Sequence, residues 1–210
     1  MDSGNNQIHS STTQTYTATA AAITTASVAP VVNTVGASTT YNLKFNPISS
    51  PPSDAKIKLT FPSDVEVTGS SACTSFTNLN AGASCVRTLN QIEITNPFSS
   101  GYSHGSECSI GISDIVNPLS VKTTASFTIA VASSSDYAIQ STASSGGATL
   151  TYTASVGALS NIAITLSDQT TSQSPVTYQY CFKTAGKVMA GSVASIQIAS
   201  EVTILSQSTA

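Results

Sequence analysis

The sequence is poor in the residues that carry most catalytic and nucleic-acid-binding chemistry. Its 210 residues include no tryptophan and only two histidines, His9 and His104. Seven basic and ten acidic residues give a net charge of −3, and the basic ones are too scattered to neutralise a phosphate backbone. No apolar run approaches the roughly 18 residues of a membrane-spanning helix. These absences exclude nucleic-acid binding and a membrane span, and they leave little acid–base chemistry for an enzyme.

The N-terminus and the cysteines point to different compartments. Residues 1–6 have neither the basic nor the apolar region of a secretory signal. Four cysteines in a low-charge chain with 37 serines and 30 threonines nevertheless favour an oxidising, extracellular setting. Both observations hold if the chain is a mature form or a segment of a longer protein, so we expect an extracellular or cell-surface location.

Glycosylation is constrained in part by the sequence. No Asn-x-Ser/Thr sequon occurs, which excludes N-glycosylation on this stretch. O-glycans on the Ser/Thr clusters stay open, because sequence does not decide them.

Period-2 alternation of apolar and polar residues recurs along most of the chain and predicts half-buried strands. Residues 56–61 show it clearly, with the apolar side chains on one face and the polar ones on the other. The same alternation occurs at Ile92/Ile94, Ile110/Ile112, Phe127/Ile129/Val131, Ile162/Ile164/Leu166, Val176/Tyr178/Tyr180/Phe182 and Ile196/Ile198. Short strands about ten residues apart, separated by Pro, Asn and Gly turns, predict an all-β, immunoglobulin-like antiparallel β-sandwich.

An internal repeat sets the domain organisation. The segment 15–18 recurs at 151–154, an offset of 136, and 40–45 recurs at 177–182, an offset of 137. A third match follows: residues 57–59 correspond to 196–198, and residues 63–65 correspond to 200–202 after a two-residue deletion. We therefore expect the last strand of a preceding unit within 1–21, a complete sandwich at 22–157, and the first strands of a second unit at 158–210.

A partial sandwich exposes an apolar face and unpaired strand edges. Such halves are completed either by identical subunits or by adjacent repeats of the same protein. The residues expected to join units are Thr15, Tyr16, Thr17, Tyr178, Tyr180, Phe182, Ile196 and Ile198.

The complete unit resembles the tandem immunoglobulin-like repeats of large secreted surface proteins of ciliates and similar protists. The resemblance rests on the strand Thr40–Phe45, the segment Phe61–Val65, the cysteine pair Cys73 and Cys85, Ile110-Gly111-Ile112, Asn117-Pro118, and Thr124–Ile129. The second unit departs from this pattern, because it lacks the Phe-Pro dipeptide and the cysteine pair. The resemblance implies an extracellular structural array rather than a known activity.

Cys73 and Cys85 lie 12 residues apart in a Ser-, Asn- and Gly-rich segment. Metal ligation is one interpretation, but no further His or Cys lies nearby at zinc-like spacing. The sequence favours a local disulfide, which typically contributes about 3 kcal/mol. Four cysteines allow three pairings, so the connectivity stays open at this point.

Cys181 lies between Tyr180 and Phe182, so strand alternation directs it away from the core. An outward cysteine with no local partner suggests either a bond between domains or chains, or a free thiol. Cys108 is the unassigned partner, although it shares a face with Ile110 and Ile112. A Cys108–Cys181 bond would therefore need strand-end distortion or a neighbouring chain.

No residue pattern predicts an enzyme, a cofactor site or a metal site. His104 lies among Ser103, Ser106 and Glu107, which are too close in sequence to converge on one reacting atom. The acidic residues that could supply calcium ligands are single rather than clustered. They are Asp54, Asp64, Glu66 and Asp114.

The sequence thus predicts a structural subunit of an extracellular filament or surface coat, assembled head-to-tail by strand complementation. The alternative is an adhesin-like or carbohydrate-binding surface module that uses loops 46–54, 69–82 and 96–107. Those loops carry few aromatic residues, namely Phe76, Phe98 and Tyr102.

Overall fold

A computed structural model describes residues 18–170 and 174–204, so the predicted joining residues Thr15, Tyr16 and Thr17 lie outside the described part. No helix occurs among the described residues, and hence none that could cross a membrane. The first strands are β1 (Ala21–Ala22), β2 (Ala26–Pro30), β3 (Ser38–Phe45), β4 (Lys56–Thr60), β5 (Glu66–Val67), β6 (Cys73–Thr77) and β7 (Ser84–Thr88). The later strands are β8 (Gln91–Thr95), β9 (Cys108–Val116), β10 (Thr128–Ala132), β11 (Ala138–Ser141), β12 (Ser160–Leu166) and β13 (Tyr178–Lys183).

Strands β1–β11 form two sheets that enclose one core. The first sheet has the order β1-β11-β10-β4-β8-β7, and the second has β2-β3-β9-β5 with β6 also paired to β9. All neighbours are antiparallel except β1 and β11, which run parallel. The chain is therefore an all-β, immunoglobulin-like sandwich, as the alternation predicted. Strands β12 and β13 form a separate two-stranded hairpin.

The strand register explains the core of the first sheet. Ile57 lies opposite Ile94 and Leu59 opposite Ile92, and all four side chains are at most 1% exposed. Inward apolar pairs of this kind remove hydrocarbon surface from water, which is the main stabilising contribution in a sandwich.

The outward residues of the same strands are charged. Lys56 and Lys58 of β4 each contact Glu93 and Asp136, at 3.0–3.7 Å. Hydrogen bonds from Lys58 and Lys56 lower the pKa of Asp136, and hydrogen bonds to Asp136 and Glu93 raise the pKa of Lys56. Four of the 17 charged residues thus neutralise one another on one sheet face.

An aromatic cluster joins the two sheets around Tyr41 of β3. Its ring centroid lies 6.2 Å from that of Phe61 and 6.0 Å from those of Phe127 and Tyr152. The Phe61 and Tyr152 contacts are edge-to-face, a favourable arrangement for aromatic rings. Burial raises the pKa of Tyr41 well above its usual range, so its hydroxyl stays protonated and can donate a hydrogen bond.

The Tyr41 hydroxyl donates to Asn117 Oδ1 at 2.7 Å. Asn117 is 1% exposed, and its Nδ2 donates to the carbonyl oxygens of Val32 and Thr34, each at 2.8 Å. One side chain therefore ties the core tyrosine to the chain between β2 and β3. A buried amide needs these partners, because an unpaired one would lose its hydration without compensation.

A disulfide joins Cys73 to Cys85, the local pairing that the sequence favoured, with the Cα atoms 6.1 Å apart. Cys73 begins β6, which pairs with β9 of the second sheet, and Cys85 lies in β7 of the first sheet. The disulfide therefore links the two sheets near their edges.

The second unit is shorter in the structure than the sequence predicted. Ile196 and Ile198 show strand-like alternation but lie outside any strand, and Ile196 is 47% exposed. No strand forms there in the single chain, because a strand needs a hydrogen-bonded neighbour and none of the described residues pairs with this segment. That Ile196 and Ile198 join another unit stays a prediction.

We expect Asn117→Ala to destabilise the sandwich by roughly 2–4 kcal/mol, because three side-chain hydrogen bonds are lost and two carbonyls lose their donor. Tyr41→Phe should cost less, about 1–2 kcal/mol, because it removes only one of the three. Urea unfolding followed by circular dichroism measures both values. A Tyr41→Phe cost equal to or above that of Asn117→Ala would contradict the central place of Asn117.

Candidate assembly interface

The hairpin β12–β13 has one apolar and one polar face. Ile164 lies opposite Tyr180 and Leu166 opposite Tyr178, so these side chains share a face. The other face carries smaller or polar residues, among them Cys181, which lies opposite Ala163. Exposed fractions on the apolar face are 67% for Ile162, 55% for Ile164, 39% for Tyr178 and 43% for Phe182.

The hairpin reproduces the pairing of β2 with β3. Val28 pairs with Leu43 and Pro30 with Tyr41 in the complete unit, and Ile164 pairs with Tyr180 and Leu166 with Tyr178 in the hairpin. These pairs are related by an offset of 136 in the first strand and 137 in the second, the same two offsets that relate the sequence segments. The sequence repeat therefore coincides with a repeat of strand register.

Equivalent residues differ in burial. Tyr41 and Phe45 are fully buried, whereas their equivalents Tyr178 and Phe182 are 39% and 43% exposed. The inner face of β3 lies against the opposite sheet, and its edge pairs with β9. Among the described residues, no opposite sheet packs on the inner face of β13 and no strand equivalent to β9 pairs with its edge. The hairpin therefore has the register of a core element but lacks the sheet and the strand that bury it in the complete unit.

The free edge of β13 follows from the strand order. In the complete unit β2 is an edge strand and β3 lies between β2 and β9. The equivalent of β3 is β13, whose first edge pairs with β12 and whose second edge pairs with no strand in 18–170 or 174–204. Its outward amide and carbonyl groups can therefore accept another strand.

The segment after β13 packs closely on the end of the complete sandwich. A Cβ atom on Gly36 would lie 2.5 Å from the carbonyl oxygen of Lys187, and one on Gly186 would lie 2.5 Å from that of Val35. The Lys187 amide donates to Gly36 O at 3.4 Å, and Lys187 Nζ lies 2.9 Å from Glu66 Oε2. We call these five residues the joint. It holds the segment that follows β13 against the end of the sandwich.

The two remaining cysteines differ in exposure. Cys181 is an exposed free thiol, in agreement with its expected outward position. Cys108 is fully buried in the core beside Ile110, so the prediction that it bonds between domains or chains is wrong. Burial, and then the nearby Glu107 carboxylate, raise the pKa of the Cys108 thiol to about 12. At neutral pH it is protonated and inaccessible, and hence unreactive.

The other candidate residues do not converge on a site. Each carboxylate has its own partner: Asp54 accepts from the Ser134 hydroxyl, Asp64 accepts from the Ala125 amide, and Glu66 pairs with Lys187. Within the described ranges, no group of three or more His, Cys, Asp or Glu side chains is placed to hold a metal ion.

The aromatic residues of the predicted recognition loops contribute to the sandwich. Phe98 is 1% exposed and packs edge-to-face on Tyr102 with the centroids 6.0 Å apart. Phe76 is partly buried against the core. These rings therefore form no exposed platform on which a sugar could stack.

Sequence reasoning missed the joint. Gly36 and Gly186 give a weak signal, since the chain has only 12 glycines and Gly36 has a positive φ of 65°. Their close approach to another segment depends on tertiary packing that local pattern does not encode. The sequence marks Asn117 only as part of an Asn-Pro dipeptide.

No protein-family model matches the sequence, and no curated protein matches it significantly. Several solved structures are similar in fold. They include BslA, a bacterial hydrophobin (11% identity, TM-score 0.39, 63% of this chain and 99% of that chain). A non-cellulosomal cohesin from Archaeoglobus fulgidus has 11% identity and a TM-score of 0.33 over 62% of this chain and 90% of its own. CaCohA2 from Clostridium acetobutylicum has 14% identity and a TM-score of 0.33 over 62% and 92%. Likenesses of this size carry no inference about what the chain binds.

We expect a maleimide to label one thiol per folded chain, at Cys181. A second site, Cys108, should become reactive only on unfolding, because its thiol is buried and its pKa is raised to about 12. Mass spectrometry of labelled peptides identifies the sites. Labelling of Cys108 in the folded protein at pH 8 would contradict the described core.

Gly186→Ala should loosen the joint, because its Cβ would overlap the Val35 carbonyl oxygen. Tryptic cleavage after Lys187 should become severalfold faster than in the parent protein. Gly69→Ala is the matched control, because a Cβ there meets nothing within 4 Å. Equal cleavage rates in the two variants would show that the joint does not restrain this segment.

Proposed function

We propose that the protein is a structural subunit of an extracellular filament or surface coat, in which the hairpin β12–β13 is completed by another sandwich unit of the same protein. The observation that carries this proposal is the uncovered apolar face of a hairpin whose equivalent, β2–β3, forms part of the core of the complete unit.

Energetics supports association at this face. An isolated two-stranded hairpin is marginally stable in water. Completing the burial of a large apolar side chain contributes up to about 1.5–3 kcal/mol. Tyr178, Phe182, Ile162 and Ile164 all have surface left to bury. A partner that covers them would stabilise both the hairpin and the contact.

The contact is heterologous and therefore favours open growth. The hairpin follows the complete sandwich in the chain and meets a surface unlike itself, so each added unit presents a further hairpin. Contacts of this kind form filaments when their rotation does not close a ring. The joint supports a regular repeat, because Gly36, Gly186 and the Lys187–Glu66 ion pair hold the hairpin against the sandwich.

The N-terminal segment is the second proposed joining element. By the sequence repeat, Tyr16 corresponds to Tyr152 and Tyr178 to Tyr41. Tyr152 and Tyr41 pack edge-to-face in the complete unit with the centroids 6.0 Å apart. We propose that Tyr16 of one molecule packs in the same way on Tyr178 of the next.

An extracellular or cell-surface location fits these features. The Cys73–Cys85 disulfide is of a kind that persists in oxidising compartments. The Ser/Thr-rich outer surface could carry O-glycans. Membership of the ciliate-type tandem-repeat surface proteins remains a prediction from the sequence resemblance. No observation favours the adhesin-like or carbohydrate-binding alternative.

Electron microscopy of the native protein and of three variants tests the proposal. The parent should form regular fibres, and the double variant Tyr178→Ser with Phe182→Ser should not, because it removes the apolar face. Truncation of residues 1–20 should also disrupt assembly. The control is Val86→Ser with Leu89→Ser, which changes exposed apolar residues at 55% and 78% exposure outside the hairpin. Fibres with an unchanged repeat in the hairpin variant, or no fibres from the parent, would refute strand completion.

A further inference from the structure

We propose that the complete sandwich is a unit that resists tension along the chain. The segments by which the chain enters and leaves it run parallel to each other, and a pull along the chain loads the hydrogen bonds between them all at once. This inference goes beyond the proposed function, because it concerns a single chain and holds whether or not the protein forms filaments.

Two segments form the connection. The entry segment, residues 21–35, contains β1 and β2, and the exit segment, residues 138–155, contains β11. At one end of the sandwich β1 pairs in parallel with β11. At the other end Thr34 forms a parallel bridge with Ser155. The two segments are therefore joined in parallel near both of their ends.

The exit segment keeps one direction throughout. Its first part, β11, runs antiparallel to β10. Its second part contains Leu150, which forms an antiparallel bridge with Phe127 just before β10. Both parts thus run antiparallel to the same stretch of chain. The chain enters the sandwich at one end and leaves it at the other, beside the end of the entry segment.

At the end where the chain enters, Ile23 lies between the two parts of the exit segment. Its amide donates to Ser141 O at 3.0 Å, and its carbonyl oxygen accepts from the Ala148 amide at 2.8 Å. The Ile23 side chain is fully buried in the core. Sliding the entry segment would therefore break both hydrogen bonds and also withdraw an apolar side chain from the core.

At the end where the chain leaves, Asn33 and Ser155 form the centre of the contact. The Ser155 amide donates to Asn33 O at 2.7 Å, and the Val35 amide donates to Ser155 O at 2.9 Å. Side chains add to these bonds. The Ser155 hydroxyl donates to Asn33 O at 2.9 Å, and the Tyr152 hydroxyl donates to Asn33 Oδ1.

The direction of a pull decides how these bonds are loaded. Tension along the chain draws the entry segment towards its start and the exit segment towards its end, so the two slide past each other. Hydrogen bonds between parallel strands run across this direction, and they are strained together. A pull on both segments from one end would instead open the bonds one after another. Because forced unfolding is governed by the unfolding rate, simultaneous loading raises the force that the sandwich withstands.

Stretching of the full chain in optical tweezers tests this inference. Handles are attached at introduced cysteines, with Cys181→Ser throughout. Thr19→Cys with Ala158→Cys slides the segments past each other, whereas Ser38→Cys with Ala158→Cys pulls from the exit end alone. All three attachment positions are exposed. We expect a mean unfolding force at least about twofold higher for the first pair, since its bonds must break together.

Two matched double variants separate this connection from general stability. Asn33→Ala with Ser155→Ala removes side-chain hydrogen bonds between the segments. Asn80→Ala with Ser99→Ala changes the same residue types and removes a 2.7 Å hydrogen bond outside both segments. The first variant should lower the sliding force by roughly a third, and the second should leave it unchanged. Circular dichroism checks that both variants fold.

The outcomes separate this inference from the proposed function. A higher sliding force, lowered only by the first double variant, supports the inference. Equal forces in the two pulling directions, or equal losses in the two variants, overturn it and leave the filament proposal intact. If the sandwich resists sliding but electron microscopy of the parent protein shows no fibres, the filament proposal fails and this inference stands.

Discussion

An amphipathic sheet must cover its apolar face, and the rest of this structure depends on that constraint. In the complete unit the two sheets cover each other, and the aromatic cluster of Tyr41, Phe61, Phe127 and Tyr152 is part of the core between them. The charged groups remain outside and neutralise one another on β4, β8 and the turn before β11. The hairpin β12–β13 is subject to the same constraint and does not meet it within the described chain.

The repeat places one strand pattern in two environments. Tyr41 and Tyr178 occupy equivalent positions in equivalent hairpins, yet one is fully buried and the other is 39% exposed. Local sequence therefore specifies the hairpin and its register, whereas burial comes from neighbours that are distant in sequence. Because the hairpin β12–β13 already has the strand register of β2–β3, another unit would only need to supply the missing neighbours. Completion by another unit is therefore a coherent proposal.

The sequence predicted what alternation and local spacing can encode. The strands at 56–60, 91–95 and 108–116, the all-β sandwich and the Cys73–Cys85 pairing all follow from patterns within about a dozen residues. The parallel pairing of β1 with β11 joins segments more than 100 residues apart, and no local pattern announces it. Ile196 and Ile198 show the converse. Their alternation is strand-like, but a strand forms only where a partner accepts its hydrogen bonds.

The joint bears on the kind of assembly that the proposed function would produce. A flexible linker would present the free edge of β13 in many directions, and association would then give irregular aggregates, the usual hazard of an open edge. Here Gly36 and Gly186 allow backbone to approach backbone, and Lys187 is held through both its amide and its side chain. In the proposed assembly, an acceptor held in one orientation would give each added unit the same displacement and rotation. The axial repeat of the proposed fibre would then depend on the length of the sandwich and on the angle at the joint, which lies outside the apolar face of the hairpin.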